Sequence, residues 1–285
     1  MNARVVPEFF DGAAELRAAF EALVDPARSD DLRRFVWDLW HVPDQYTYVR
    51  TIARRALPGN LVHRLTSRLR AFGEAELGCI RITEPWLSYY VTGCRQELHR
   101  DTYQGAWSFV YSLTDPARRR FRGGDTLVFP PDGGEPDAHG TCERIAPHFN
   151  QLVVFDARLR HAVEPVDGTM DPCEARVVIH GWFLPPTLLV DGALRIADVE
   201  PVLADARSAF DAAMHGTAGT TGALTLRLAV DGSGRVTRVQ VVVDTLWPRP
   251  AADVAAQVAE QLAALRFPAA HGATIVTAPF SAASP

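Results

Sequence analysis

Short apolar runs separated by turn residues dominate the middle of the chain, and longer runs with helical periodicity flank them. Residues 107–113, containing Trp107, Phe109, Val110, Tyr111 and Leu113, have the length and composition of a buried strand. The turn Gly123, Gly124, Asp125 leads into a second strand at 126–129; residues 151–155 form a third and residues 176–183 a fourth. Upstream, apolar residues at helical spacing over 10–24, Asp30 and Asp31 at the start of 32–40, and basic and apolar faces over 61–72 predict that the first 75 residues are helical. The tail reads as a separate module. It runs through a helix at 199–214, an Ala-, Gly- and Thr-rich linker at 215–222 and an alternating strand at 224–230. A hairpin turn at Asp231, Gly232, Ser233 and Gly234 follows, then a returning strand at 236–243, an Ala-rich helix from Ala251 to Leu265 and a last strand at 274–280. The pattern divides into a mainly β domain with flanking helices at 1–190 and a small α+β domain at 191–285.

With 285 residues, 47% of them hydrophobic, the chain can bury one large core or two smaller ones. The net charge of -5, without interleaved basic and aromatic residues, speaks against nucleic acid as a partner. No apolar run is long enough to span a bilayer, and residues 1–7 open no signal peptide, so no membrane partner is expected. Cys79, Cys94, Cys142 and Cys173 have neither metal nor disulfide spacing, and the expected location is cytoplasmic.

The chemistry concentrates in Gln96, Glu97, Leu98, His99, Arg100 and Asp101, answered by His161 and Arg176. In an extended backbone His99 and Asp101 share a face. Two imidazoles and one carboxylate that converge make the facial triad of a non-haem Fe(II) oxygenase, with open positions left on the metal. A His-x-Asp tripeptide alone is weak. The order of the surrounding motifs is specific.

That order is Tyr90 to Gly93 as Tyr-x-x-Gly, His99 to Asp101, the Gly-Gly-acidic turn at 123–125, Phe155 with His-x-Val-x-Pro-Val at 161–166, and Arg176 ahead of Gly181, Trp182 and Phe183. It resembles the prolyl 4-hydroxylase-like branch of the iron(II)- and 2-oxoglutarate-dependent dioxygenases over roughly residues 80–185. The resemblance implies a double-stranded β-helix (jelly roll) core, Fe(II) on His99, Asp101 and His161, and the distal carboxylate of 2-oxoglutarate on Arg176. Arginine suits that task because its guanidinium stays charged and grips a carboxylate with two parallel hydrogen bonds. Tyr90 is either a hydroxyl partner of the same carboxylate or a core aromatic. The implied reaction consumes 2-oxoglutarate and O2, releases succinate and CO2, and hydroxylates an amino-acid side chain, with ascorbate as a candidate reductant. Asp101 argues for oxygenation, since the related halogenases lack this carboxylate. The implied partner is a peptide or protein substrate, or a small amino acid. The alternative is a peptide- or protein-binding module whose jelly roll is regulatory or inactive.

Two features depart from the family pattern. His180 stands on the strand face of Arg176, Val178 and Trp182, where the family more often has a small or hydroxylated residue. It either touches the cosubstrate, a water or the substrate, or is a hydrogen-bonded strand histidine. The polar segment 167–172 is longer than the family's and reads as an exposed loop.

Arg118, Arg119, Arg120 and Arg122 form a basic cluster that could receive an acidic substrate, or is simply a solvated loop. His41, His63, His139, His148, His215 and His271 lack ligand spacing and read as ordinary histidines, and Trp37, Trp40 and Trp86 read as structural. The tail, with Arg266, Phe267 and Pro268 after its helix and Pro279, Phe280 near its end, resembles the TonB-like carboxyl-terminal domain over about residues 199–280. That resemblance implies a peptide- or protein-binding appendage.

Overall fold

Alternating and continuous apolar runs become a large antiparallel sheet in the computed structural model, which describes residues 3–25, 27, 32–131, 142–215, 217, 219–250 and 253–282. Asp30, Asp31, His139, Ala251 and the side chain of His215 lie outside the described residues. The chain divides into two compact units, residues 1–70 with 81–185, and residues 71–80 with 186–285.

The first unit runs β1 (Ala3–Val6), α1 (Ala13–Val24), a 3-10 turn (Leu32–Phe35), β2 (Asp38–Val42), β3 (Tyr46–Ile52), α2 (Ala53–Ala56), α3 (Gly59–Leu77), β4 (Trp86–Tyr90) and β5 (Arg95–His99). It continues with β6 (Trp107–Ser112), β7 (Thr126–Val128), β8 (Glu143–Ile145), β9 (Gln151–Asp156), β10 (His161–Val163) and β11 (Arg176–Phe183). Strand order is β1-β9-β6-β11-β4-β3, with β2 also on β3, and then onward from β3 through β5-β10-β7-β8. Every pairing is antiparallel. This is the nearly closed, mainly β barrel of a jelly roll, with helices on its flank. Strand β9 is buried on both faces, which is why its sequence is a continuous run rather than an alternation. Helix α1 buries Leu16, Phe20 and Leu23 at helical spacing, and Phe20 meets Trp37 and Tyr89 edge-on or tilted at 6.2 Å.

The helix expected over 32–40 does not form. A 3-10 turn at Leu32–Phe35 gives way to β2, and β1 and β3 add two further strands to the stretch expected to be helical. The apolar residues of this stretch point outward, with Leu32, Phe35 and Leu39 at 77%, 73% and 67% exposure. Pairing with β3, where Trp40 lies opposite Tyr48, decides the conformation over local propensity.

The second unit contains β12 (Leu189–Gly192), α4 (Ile196–His215), β13 (Gly222–Val230), β14 (Val236–Asp244), α5 (Val254–Ala264) and β15 (Thr274–Ala282), with strand order β12-β15-β13-β14. Leu224, Leu226, Leu228 and Val230 all face its core, as the alternation predicts, with Phe210, Leu262, Val276 and Phe280. Asp231 closes the hairpin by accepting from the Ser233 and Arg235 amides at 2.9 and 3.0 Å. The segment 71–80 belongs here: Arg227 donates to the Ala75 carbonyl at 3.3 Å and to that of Glu74. Among the described residues, no helix is long and apolar enough to cross a membrane.

Candidate active site

Strands β5 and β10 are antiparallel neighbours with His99 directly opposite His161, so pairing alone brings two imidazoles distant in sequence within reach. Their ring centroids are 4.2 Å apart. Asp101, just past the end of β5, has its amide tied to the Ala157 carbonyl at 2.9 Å, which turns its carboxylate toward both rings. His161 Nε2 lies 3.2 Å from Asp101 Oδ2 and His99 Nε2 lies 3.7 Å from Oδ1. One ligand atom from each of the three residues falls within 4.8 Å of the others.

Both rings are oriented from behind. His99 Nδ1 is 2.7 Å from the Glu97 carbonyl and His161 Nδ1 is 3.0 Å from that of Leu159. A carbonyl only accepts, so each Nδ1 carries the proton and each Nε2 presents its lone pair to the shared centre. Ser108 Oγ and Trp182 Nε1 each donate to Asp101 Oδ2 at 2.8 Å, and Asp101 Oδ1 is left to face His99. Burial alone would raise the Asp101 carboxyl, but its neighbours, His161 first and then Trp182 and His99, hold it well below the usual carboxylate range. Burial, followed by the neighbouring His161, lowers His99. Two imidazoles that turn Nε2 to a shared centre, together with one carboxylate, are the donor set that a divalent cation such as Fe(II) takes on one face.

Arg176 enters from β11, opposite Tyr90 on β4. It is 1% exposed, stacks its guanidinium over the Tyr90 ring at 4.6 Å, and donates from Nη2 to Thr126 Oγ1 at 3.2 Å. Its Nε and Nη1 are buried and find no partner within the protein. A buried cation with two idle donors is costly on its own and fits a carboxylate guest. The Gly-Gly turn makes room for this arrangement. Gly123 and Gly124 have φ of 69° and 75°, and a Cβ on Gly123 would stand 2.1 Å from the Pro165 carbonyl oxygen. Tyr90 is 2% exposed and stacks on Tyr48 at 5.2 Å, and burial drives its hydroxyl far upward, so it stays a neutral donor.

These groups line one cavity of about 140 Å³, which also takes in Trp40, Tyr46, Arg50, His180 and Trp182. His180 does face the site. Its Nε2 is 2.8 Å from Ser88 Oγ, and burial, then the charges of Arg176 and Arg50, push its imidazole down to about 3. Trp40 lines the cavity too, against the expectation that it is purely structural, whereas Trp37 packs on Phe20 and Tyr89. The basic cluster is not part of the cavity lining. Arg118 pairs with Glu21 at 3.1 Å, Arg119 covers the Phe121 ring, and Arg120 donates to the Ala117 and Arg119 carbonyls.

Sequence reasoning missed Arg50 and its aromatic neighbours. The run Tyr46, Thr47, Tyr48, Val49, Arg50, Thr51, Ile52 is β-branched or aromatic at every position but Arg50, and that composition was the signal for a strand carrying Tyr46, Tyr48 and Arg50 on one face.

Residues 85–184 match the model of the 2OG-Fe(II) oxygenase superfamily. Among solved structures, a Pseudomonas putida prolyl-4-hydroxylase aligns at 18% identity over 65% of this chain and 94% of its own, with a TM-score of 0.44. A Trichoplax adhaerens prolyl hydroxylase, solved with a hypoxia-inducible-factor peptide fragment, aligns at 15% over 64% and 83%, with a TM-score of 0.46. A non-heme alpha-ketoglutarate-dependent epimerase from nogalamycin biosynthesis aligns at 16% over 63% and 77%, with a TM-score of 0.44. No curated protein matches the sequence. The matched stretch spans His99, Asp101, His161 and Arg176, and the chain accordingly carries a 2OG-Fe(II) oxygenase domain that works with iron and 2-oxoglutarate.

Proposed function

We propose that the chain hydroxylates an amino-acid side chain, in a peptide or protein, as a prolyl 4-hydroxylase-like dioxygenase. His99 and His161 bind Fe(II) through Nε2 and Asp101 binds it through a carboxylate oxygen. Bound Fe(II), 2-oxoglutarate and O2 supply the oxidising chemistry, with succinate and CO2 released. The protein's share is orientation. Ser108 and Trp182 aim the Asp101 carboxylate, the Glu97 and Leu159 carbonyls fix both imidazoles, and Arg176 with Tyr90 receives the distal carboxylate of 2-oxoglutarate. His180, neutral and held by Ser88, is a hydrogen-bonding group beside that cosubstrate.

The observation that carries this reading is the pairing of a converged His-Asp-His set with a buried arginine holding two idle donors in the same cavity. The second unit follows the helix, hairpin, helix, strand order of a TonB-like carboxyl-terminal domain, and its edge strand β14 offers backbone groups for peptide capture. Four free cysteines suit a reducing compartment such as the cytoplasm. The test is Fe(II)-dependent succinate formation from 2-oxoglutarate, together with a mass gain of one oxygen in a peptide offered as substrate. Succinate formation indifferent to Fe(II), or unaffected by loss of Asp101, would defeat the assignment.

A further inference from the structure

The cavity holds a second arginine that the cosubstrate does not need. Arg50 on β3 pairs across the sheet with Ser88 on β4, which pairs in turn with Val178 on β11, so Arg50 shares the inner face with Arg176. Two strand spacings laterally and two residues along β11 separate their Cα atoms by roughly 12 Å. The Arg50 guanidinium lies between two indoles, with Cζ 3.7 Å from the Trp40 ring centroid and 4.0 Å from that of Trp86. The Tyr48 hydroxyl interacts with it, while its Nε is buried with no partner in the protein. No carboxylate among the described residues forms an ion pair with it.

The geometry limits what Arg50 can bind. Indole rings cover both of its faces, so only the planar edge that carries the N–H donors remains for a ligand. An edge-on fork matches a coplanar carboxylate by two parallel hydrogen bonds. The stacking also holds the side chain in one pose in advance, which lowers the entropy lost on binding. Two arginines in one cavity disfavour a cationic substrate, lysyl side chains included.

We infer that Arg50, clamped between Trp40 and Trp86, is the substrate-recognition residue, and that the substrate presents a carboxylate to it while Arg176 holds 2-oxoglutarate. The assignment of the two arginines to two different anions rests on the function proposed above. The carboxylate has two sources, the main-chain terminus of an amino acid or peptide, or an acidic side chain.

The test uses full-length protein loaded with Zn(II) and saturating 2-oxoglutarate, observed through the Trp40 and Trp86 indole N–H resonances, which Trp40→Phe and Trp86→Phe assign. The probes are N-acetylglycine, its neutral amide, and the α-amide of N-acetylglutamic acid. A saturable shift with at least one carboxylate probe, at least tenfold weaker with the neutral amide and abolished in Arg50→Gln, is the expected result. The tighter of the two carboxylate probes identifies the source. Arg50→Lys, which keeps charge but loses the flat fork, should weaken the shift. Equal shifts from amide and acid, a shift that survives in Arg50→Gln, or one that fades as 2-oxoglutarate is raised would overturn the inference. Absence of 2-oxoglutarate binding in the wild type would count instead against the reading of Arg176, because the indole titration reads Arg50 independently.

Discussion

Replacing Arg176 by methionine should stabilise the ligand-free protein while removing its affinity for 2-oxoglutarate. The side chain is 1% exposed, and its Nε and Nη1 are buried without partners. Each unsatisfied buried donor costs about 1–3 kcal/mol, so relieving two recovers about 2–6 kcal/mol. Against this stand the lost hydrogen bond to Thr126, worth about 1 kcal/mol, and imperfect repacking beside Tyr90 of about 1–1.5 kcal/mol. The terms leave a net gain of about 0–4 kcal/mol, centred near 2 kcal/mol, and that centre corresponds to a rise in Tm of roughly 4–8 °C for a unit of this size. The cosubstrate reverses the order. At a hundredfold excess over Kd it adds about 2.7 kcal/mol to the wild type and nothing to a variant that cannot bind it. Scanning calorimetry of the Mn(II)-loaded proteins under nitrogen, with and without 2-oxoglutarate, reads both effects. A variant that melts lower than wild type without ligand would refute the stored-cost argument, and one that keeps the 2-oxoglutarate shift would refute the clamp.

Asp101→Asn should lose Mn(II) binding, followed by electron paramagnetic resonance, while stability falls by only about 1–2 kcal/mol, because the amide oxygen still accepts from Ser108 and Trp182; tight binding in the variant would remove Asp101 from the metal set. His180 has a folded pKa of about 3 against 6.5 unfolded, so below 6.5 the unfolded chain takes up a proton that the folded one refuses. Stability is thus full above 6.5 and declines as pH falls toward 3, by up to about 1.4 kcal/mol per unit. Urea denaturation of His180→Gln should show a flatter decline, and identical pH slopes would contradict the burial argument. In the second unit, Phe210→Ala removes a ring that is 2% exposed and packed on Phe280, and should cost about 3–5 kcal/mol in urea titration; a loss under 1 kcal/mol would mean the site collapses around the gap.

The metal-ligand candidates were legible because their signals are local. His99 and Asp101 announce themselves by strand alternation, and His161 and Arg176 sit at the head of strands whose apolar character is plain. What could not be read was partnership across the sheet. Asp101 owes its orientation to Trp182 and Ser108, and nothing in their spacing shows that an indole N–H and a hydroxyl meet one carboxylate oxygen. The arginine cluster at 118–122 drew attention by composition, yet its members attach to Glu21, Phe121 and nearby carbonyls. The lone Arg50 reaches the cavity because β3 lies beside β4. The stretch 32–40 misled because Asp30 and Asp31 read as a helix start, while pairing with β3 and not the local signal decides its conformation.

The membership of residues 71–80 in the second unit has a consequence for how the protein is made. The expected boundary near 190 treats the tail as detachable, but the structure gives the second unit a piece from the end of α3. A chain ending near 187 would leave the Glu74 and Ala75 carbonyls without Arg227. During synthesis that helix end leaves the ribosome about 150 residues before Arg227 does, a wait of roughly 7–30 s at typical elongation rates. The first unit can complete its sheet in that interval while the helix end stands idle. A stalled or prematurely terminated ribosome would therefore release an oxygenase barrel bearing a frayed helix, and rare codons or truncating lesions in the last third of the coding sequence would act on residues encoded in its first third.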